Sequence, residues 1–237
     1  MRRRFFVDRF ENERAIMVGE AAHHLGRVLR AQPGQLYELS DGNSVRLGRI
    51  DVVEREAVQF SLLEEIPSYS LPLDLTLLLS VVKFDAFEWA LEKATELGVA
   101  RVVPVAAARS EKGLLAAAAK RADRWEKILM ESAQQCRRVS VPQLDKLTKP
   151  ESAFAAASGL RVLLSEAPEA PPLRDVLADA PDCVVTLAVG PEGGWIEAEF
   201  AAARGQGFRE VSLGKLILRA ETAVVAALAA VNFALVR

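Results

Sequence analysis

From Leu73 onward, apolar runs of strand length alternate with amphipathic stretches of helix length, and this rhythm constrains the fold more than any other feature. LDLTLLLSVV is continuously apolar, as expected of a strand buried on both faces. In DAFEWALEKATELG, Phe87, Ala90, Leu91 and Ala94 form one stripe. Asp85 stands where a cap is wanted, with Glu88 three residues on, and Gly98 stands where a helix stops. VARVVPV is the next strand, and KRADRWEKILMESAQQC is a long helix with Trp125, Leu129 and Ala133 inward. LRVLLSE, CVVTLAV and REVSLG are further strands, separated by helical segments around PLRDVLA and AEFAAAR. ETAVVAALAAVNFALV is the last helix. Strand and helix alternating five times predict a parallel α/β sheet covered on both faces. In such sheets ligands bind beyond the carboxyl ends of the strands.

Residues 1–66 follow a different period. RFFV, AIMV, QLYELS, SVRLGRIDVV and AVQFSLLEEI read as strands, with DGNS (Asp41 to Ser44) as a hairpin turn. One helix, EAAHHLGRVLR, places Ala22, Leu25, Val28 and Leu29 on one face and Arg27 and Arg30 on the other. A small barrel with one helix fits this pattern. PSYSLP, residues 67–72, reads as a linker, giving a β domain over 1–70 and an α/β domain over 71–237.

The formal net charge of −2 gives no support for nucleic-acid binding, but the distribution is uneven. Residues 101–149 hold eleven Lys/Arg against five Asp/Glu, whereas 151–200 hold two against nine. Such asymmetry builds a local positive field within a near-neutral total. Cys136 and Cys183 are too few for a disulfide framework, which points to a reducing compartment. The basic N-terminus MRRRFFVDRF is interrupted by Asp8, Arg9 and Glu11 and does not read as a signal peptide. The longest apolar run, Ala223 to Val231, is too short to cross a bilayer. A cytoplasmic protein is expected.

Three strand ends carry polar residues and glycines: LLSEA (Leu163 to Ala167), VGPEGGW (Val189 to Trp195) and LGKLILRAET (Leu213 to Thr222). Gly190, Gly193 and Gly194 let backbone approach a ligand or adopt positive φ, and Pro191 stiffens the turn. One such loop is an ordinary strand-to-helix connection; three at one sheet edge point to a pocket. The chain has no GxxxxGK[ST] and no GxGxxG, and no group of residues has metal-ligand spacing. His23 and His24 are adjacent and point apart on a helix. The pocket is therefore expected to hold an organic cofactor, largely through backbone groups and without a metal.

GPEGGW together with LGKLILRAETA resembles the bacterial 16S ribosomal RNA uridine N3-methyltransferases, the RsmE family of the SPOUT superfamily. The likeness extends through HHLGRVLRAQPGQ, SDGNS, FEWALEKATELGVARVVPV and the WEKI and ESAQQCRR segments. The sequence departs from the family pattern at Ala220 and at Lys83 to Asp85, neither of which touches the glycines.

The resemblance implies a PUA-like β-barrel RNA-binding domain over 1–70, followed by a SPOUT methyltransferase domain over 71–237. In that superfamily the parallel sheet ends in a C-terminal trefoil knot, a rare exception to unknotted topology. S-adenosylmethionine would be the cofactor, small-subunit 16S rRNA the substrate, and the protein a homodimer in the cytoplasm. Carried over, Val189, Gly190, Pro191, Glu192, Gly193 and Gly194 would form one wall of the cofactor site. Leu213, Gly214, Ile217, Leu218, Thr222 and Ala223 would form a second, with Ser165 and Glu166 near a third.

Uracil N3 is a poor nucleophile until it loses its proton, so the protein must align N3 with the methyl group and stabilise the developing anion. Arg219 is the candidate for that stabilisation. Glu221 is a candidate proton acceptor, or else it orients Arg219. Against both stands a simple salt-linked helix start. Arg2, Arg3, Arg4, Arg27 and Arg30, with Arg137 and Arg138, are candidate phosphate partners. The competing functions are a SPOUT enzyme acting on another RNA position, a non-catalytic ribosome-assembly factor, and a phosphate-binding α/β enzyme.

Overall fold

Two separate sheets organise the chain, one mixed and one wholly parallel. The structure, a computed structural model, describes residues 3–68, 71–178 and 184–236. Arg2, Cys183 and part of PSYSLP lie outside the described residues. Internal contacts divide the chain into two compact units, Met1–Ser70 with Ala133–Val141, and Leu71–Ser132 with Pro142–Arg237. Ala133–Val141, which falls within the 71–237 stretch of the α/β pattern, groups by its contacts with the first unit.

In the first unit, β1 (Arg4–Phe6), β2 (Arg14–Val18), β3 (Leu36–Ser40), β4 (Val45–Val53) and β5 (Ala57–Glu65) lie in the order β1-β3-β4-β5-β2. Strands β1 and β3 are parallel and the other pairs antiparallel. At the β3–β4 turn, Asp41 Oδ1 accepts the Asn43 and Ser44 amides at 2.9 and 2.8 Å, the local bonding that makes aspartate a turn former. Register shifts bend the β4–β5 pair, and Phe5, Met17, Leu39, Ile50 and Phe60 fill the core. The one helix is not uniform. Helix α1 (Gly19–His23) widens into a π-helical turn over His24–Val28, closed by the Leu29 amide on the His24 carbonyl. The wider turn swings Val28 off the apolar face, leaving it 61% exposed beside fully buried Ala22 and Leu25.

The second unit contains β6 (Asp74–Ser80), β7 (Val99–Val105), β8 (Gln143–Leu144), β9 (Leu160–Leu164), β10 (Val184–Val189) and β11 (Arg209–Val211). All are parallel, in the order β11-β9-β10-β6-β7-β8. The helices are α2 (Phe84–Glu96), α3 (Lys112–Ala118), α4 (Ala122–Gln135), α5 (Pro150–Ala155), α6 (Leu173–Ala178), α7 (Glu197–Gly205) and α8 (Ala220–Leu235). Leu77, Leu78 and Leu79 are buried on both faces of the sheet, which explains the unbroken apolar run. Phe87 and Trp125, ring centroids 4.5 Å apart, pin α2 to α4. Asp85 does not cap α2. The helix begins at Phe84, and among the described residues the carboxylate accepts only the adjacent Ala86 amide; its position in the first turn still suits the helix dipole.

The last three residues of helix α4, Ala133 to Gln135, belong to the first unit. The Arg138 amide reaches the Ala133 carbonyl and the Arg137 amide the Gln134 carbonyl. This is a Schellman closure with Arg137, at φ +61, in the place usually held by glycine.

Candidate functional site

Strands β11, β9 and β10 are neighbours, and the loops leaving their carboxyl ends enclose a cavity of about 580 Å³. After β9, Ser165 is fixed by its amide on the Val211 carbonyl, and its hydroxyl accepts the Ala167 amide. Ser165 and Glu166 both line the cavity.

The loop after β10 contributes Val189 through Gly194. The Gly194 amide closes a turn on the Pro191 carbonyl at 2.8 Å, with Gly194 at φ +69. The neighbouring glycines answer to protein side chains rather than to open cavity. A Cβ at Gly190 would stand 3.0 Å from the Trp195 indole nitrogen, and one at Gly193 would stand 3.2 Å from Arg109 Cδ. All three glycines nonetheless line the cavity, and the sequence expectation allowed for close approach or positive φ without naming these side-chain contacts. The positive φ values belong to Gly194 and to Gly214 (φ +132), not to Gly193.

The loop after β11 begins with a firm hold. Ser212 takes the Leu173 amide on its carbonyl and gives its own amide to Pro171, both at 2.9 Å. Beyond it, the backbone amides and carbonyls of Leu213 to Leu218 make no hydrogen bond with the described residues. Backbone groups in folded chains are nearly all paired with protein, solvent or ligand, so this run is open to a ligand. Leu213, Gly214, Ile217, Leu218 and Arg219 line the cavity, with Ile217 77% exposed.

Helix α8 then starts, and its period sorts the remaining candidates. Ala220 and Ala223, three apart, face the cavity, whereas Glu221 and Thr222 are not among its lining residues. The structure thus brings Arg219 to the site but not Glu221 or Thr222. No ion pair joins Arg219 to Glu221 among the described residues, so the salt-linked helix start is absent as well. The lining carries the carboxylates Glu166, Glu169, Glu192, Glu197 and Glu210 against Arg109, Arg204, Lys215 and Arg219. Arg204 is engaged with Glu197 and Glu210.

Sequence reading missed Arg109 and Glu199. Arg109 Nη1 donates to the Gly193 carbonyl at 2.6 Å. Glu199, 3% exposed, accepts the Ala108 amide at 2.7 Å and the Ile196 amide at 2.9 Å. The signal was available for Arg109, since it lies just past the carboxyl end of VARVVPV, at the same sheet edge as the glycine loops. For Glu199, a charged residue within the helical segment AEFAAAR, the sequence carries no sign of burial.

The arginine candidates for RNA divide. Arg3, Arg27 and Arg30 are exposed. Arg4 is not: its guanidinium is 7% exposed and bonds Glu38 at 2.9 Å. Arg137 also binds Glu38, and its carbonyl accepts from Arg4. Arg138 is buried, and that burial lowers its pKa from the ordinary value. Arg4 and Arg138 are buried and Arg137 is half-buried, and a buried guanidinium such as that of Arg4 needs a carboxylate or carbonyl partner. Pairing also trims the positive region: Arg101 holds Asp145, and Arg121 and Arg124 both hold Glu88. Among the described residues, no group of three or more His, Cys, Asp or Glu could hold a metal, and no helix is long and apolar enough to cross a membrane.

Residues 69–232 match the model of an RNA methyltransferase domain. The chain is 33% identical over 223 residues to the ribosomal RNA small subunit methyltransferase E of Synechocystis, covering 89% of this chain and 70% of that one. It is 30% identical over 227 residues to the Bacillus subtilis protein of that name, covering 92% and 89%. Its fold matches the crystal structure of the Neisseria gonorrhoeae ribosomal RNA small subunit methyltransferase E bound to S-adenosyl methionine, with TM-score 0.89, 31% identity and 98% of each chain covered. The family match takes in all three cavity loops, and the chain belongs to the RNA methyltransferase family of the ribosomal RNA small subunit methyltransferases E.

Proposed function

We propose that this chain transfers a methyl group from S-adenosylmethionine to N3 of a uridine in the 16S ribosomal RNA of the small subunit. The observation that carries the reading is the cavity at three parallel strand ends, walled on one side by backbone with no hydrogen-bond partner among the described residues. The residues present fit the cofactor. Its flat base needs apolar surfaces and backbone hydrogen bonds, which Leu213, Ile217, Leu218 and their peptide groups offer. Its net positive charge suits a lining with one more carboxylate than cationic groups. When bound, the sulfonium supplies an electrophilic methyl group and requires no metal.

The chain's own contribution is placement and charge. Arg219 stands exposed at the cavity wall, with no ion pair of its own among the described residues. A guanidinium there stabilises negative charge on a uracil carbonyl as N3 loses its proton. Exposed Arg3, Arg27 and Arg30 support a PUA-like RNA-binding role for residues 1–70. The wholly parallel sheet, with the resemblance carried by GPEGGW and LGKLILRAETA, supports a SPOUT topology with a C-terminal trefoil knot over 71–237. Phe233, 92% exposed on α8, supports a homodimer, for which twofold pairing is the default symmetry. A cytoplasmic location follows from an rRNA substrate.

Mass spectrometry of nucleosides from small-subunit RNA, with and without the gene, tests the reading. Loss of 3-methyluridine on deletion is expected, and its persistence overturns the assignment.

A further inference from the structure

The geometry points to Arg109 as a positioning residue of the cofactor site, one that holds the Pro191–Gly194 turn in its ligand-binding shape. The inference rests on the cofactor reading above. Arg109 belongs neither to that loop nor to the strand that carries it; it follows β7, separated from β10 in the sheet by β6. Its Nη1 nevertheless donates to the Gly193 carbonyl at 2.6 Å. Its stem lies over Gly193, so that a Cβ there would meet Arg109 Cδ at 3.2 Å and Cβ at 3.3 Å. Glycine at 193 makes room for this arginine.

The need for such a hold follows from the turn's composition. The peptide joining Gly193 to Gly194 has a glycine on each side, so rotating it meets little steric resistance. Two bonds fix it: its N–H reaches the Pro191 carbonyl at 2.8 Å, and its carbonyl takes Arg109. With that peptide held on both groups, the amides of Glu192 and Gly193, which have no partner among the described residues, keep a fixed orientation in the cavity wall. Arg109 is itself anchored. The preceding amide, that of Ala108, is bound by buried Glu199, whose other oxygen holds the Ile196 amide at the far end of the same loop. The loop is therefore gripped from two consecutive residues of a different strand end, once from the solvent side and once from the core.

Calorimetry with S-adenosylmethionine on the full chain tests this. Arg109→Met keeps the stem and removes the donor, and should weaken cofactor binding about tenfold, in keeping with a hydrogen bond from a charged group. The larger part of the kinetic loss should appear in KM for the cofactor rather than in kcat, and Arg109→Lys should recover part of the affinity. A mutant cycle with Gly193→Ala supplies a readout that general destabilisation would not move. The added methyl should weaken binding severalfold in the wild type and measurably less once Arg109→Ala has removed Cγ and Cδ and left only the 3.3 Å Cβ contact. Unchanged cofactor affinity in Arg109→Met overturns the inference, as does an equal cost of Gly193→Ala in both backgrounds. A wild-type chain that binds no S-adenosylmethionine would instead sink the cofactor reading itself.

Discussion

The loops after β10 and β11 face one cavity but are built in opposite ways. The first is braced by Arg109 and Glu199 from outside and by its own Gly194–Pro191 bond. The second is tied down at Ser212 and again where α8 begins, and between those points its backbone bonds to nothing in the chain that the structure describes. The braced loop supplies a fixed shape. The bare loop supplies spare donors and acceptors, and it carries Arg219 at its end. A binding site needs both, because a wholly paired backbone has nothing to offer a ligand and a wholly unpaired one must lose entropy to hold it.

The largest expected effect is therefore on the bare loop. Arg219→Ala should lower single-turnover methylation on the order of a hundredfold or more, the usual cost of losing one positioned electrostatic donor, while calorimetric cofactor affinity stays within a few-fold. Normal turnover in that variant would leave the bare loop with a binding role alone. Next comes Gly214→Val. At φ +132 with open space around it, the position resists a β-branched residue on backbone grounds alone. Cofactor affinity should fall tenfold or more with little loss of folded protein. Equal affinity would show that the bare loop rearranges freely on binding.

The core-side anchor of the braced loop should show its effect in stability too. Glu199→Gln replaces one of two acceptor oxygens with a donor that faces a backbone amide, at a site 3% exposed. Chemical denaturation should show a loss of about 1–3 kcal/mol, the cost of a buried unsatisfied group. An unchanged midpoint would make the brace dispensable. The smallest effect belongs to Leu216→Ser. With Leu216 82% exposed, the melting temperature should move little, within the range of about 0.5 kcal/mol typical of surface changes. A large, concentration-dependent drop would mean that a second copy of the chain covers this loop.

This division was half legible in the sequence. Glycines, prolines and a strand-to-helix rhythm announce loops at a sheet edge, so the residues of both loops and the parallel sheet could be read directly. The reason for each glycine could not. Gly190 answers to Trp195 and Gly193 to Arg109, contacts made across the fold that no local pattern records. The same limit explains Arg4 and Arg138, which read as surface cations and are buried, and Glu221, which lies one residue from a cavity-lining alanine and faces elsewhere. Short elements escaped for a different reason: β8 has two residues and α5 six, too few to show a period. The π-helical turn at His24–Val28 escaped because it changes the period itself.

The placement of Ala133–Val141 in the first unit bears on the order in which the chain can fold during synthesis. Domains generally fold as units, N-terminal first as the chain emerges, but this one lacks a piece until residues 71–132 have been made. Until then Glu38 has Arg4 but not Arg137, and Arg4 has no helix-end carbonyl to accept from its Nη1. Ser40 likewise waits for the Val139 carbonyl, 99 residues on. The nascent β unit is thus held incomplete while the first strands and helices of the α/β unit are added. A fragment cut at residue 70 would keep that unfinished state, with a buried carboxylate short of one of its two cations.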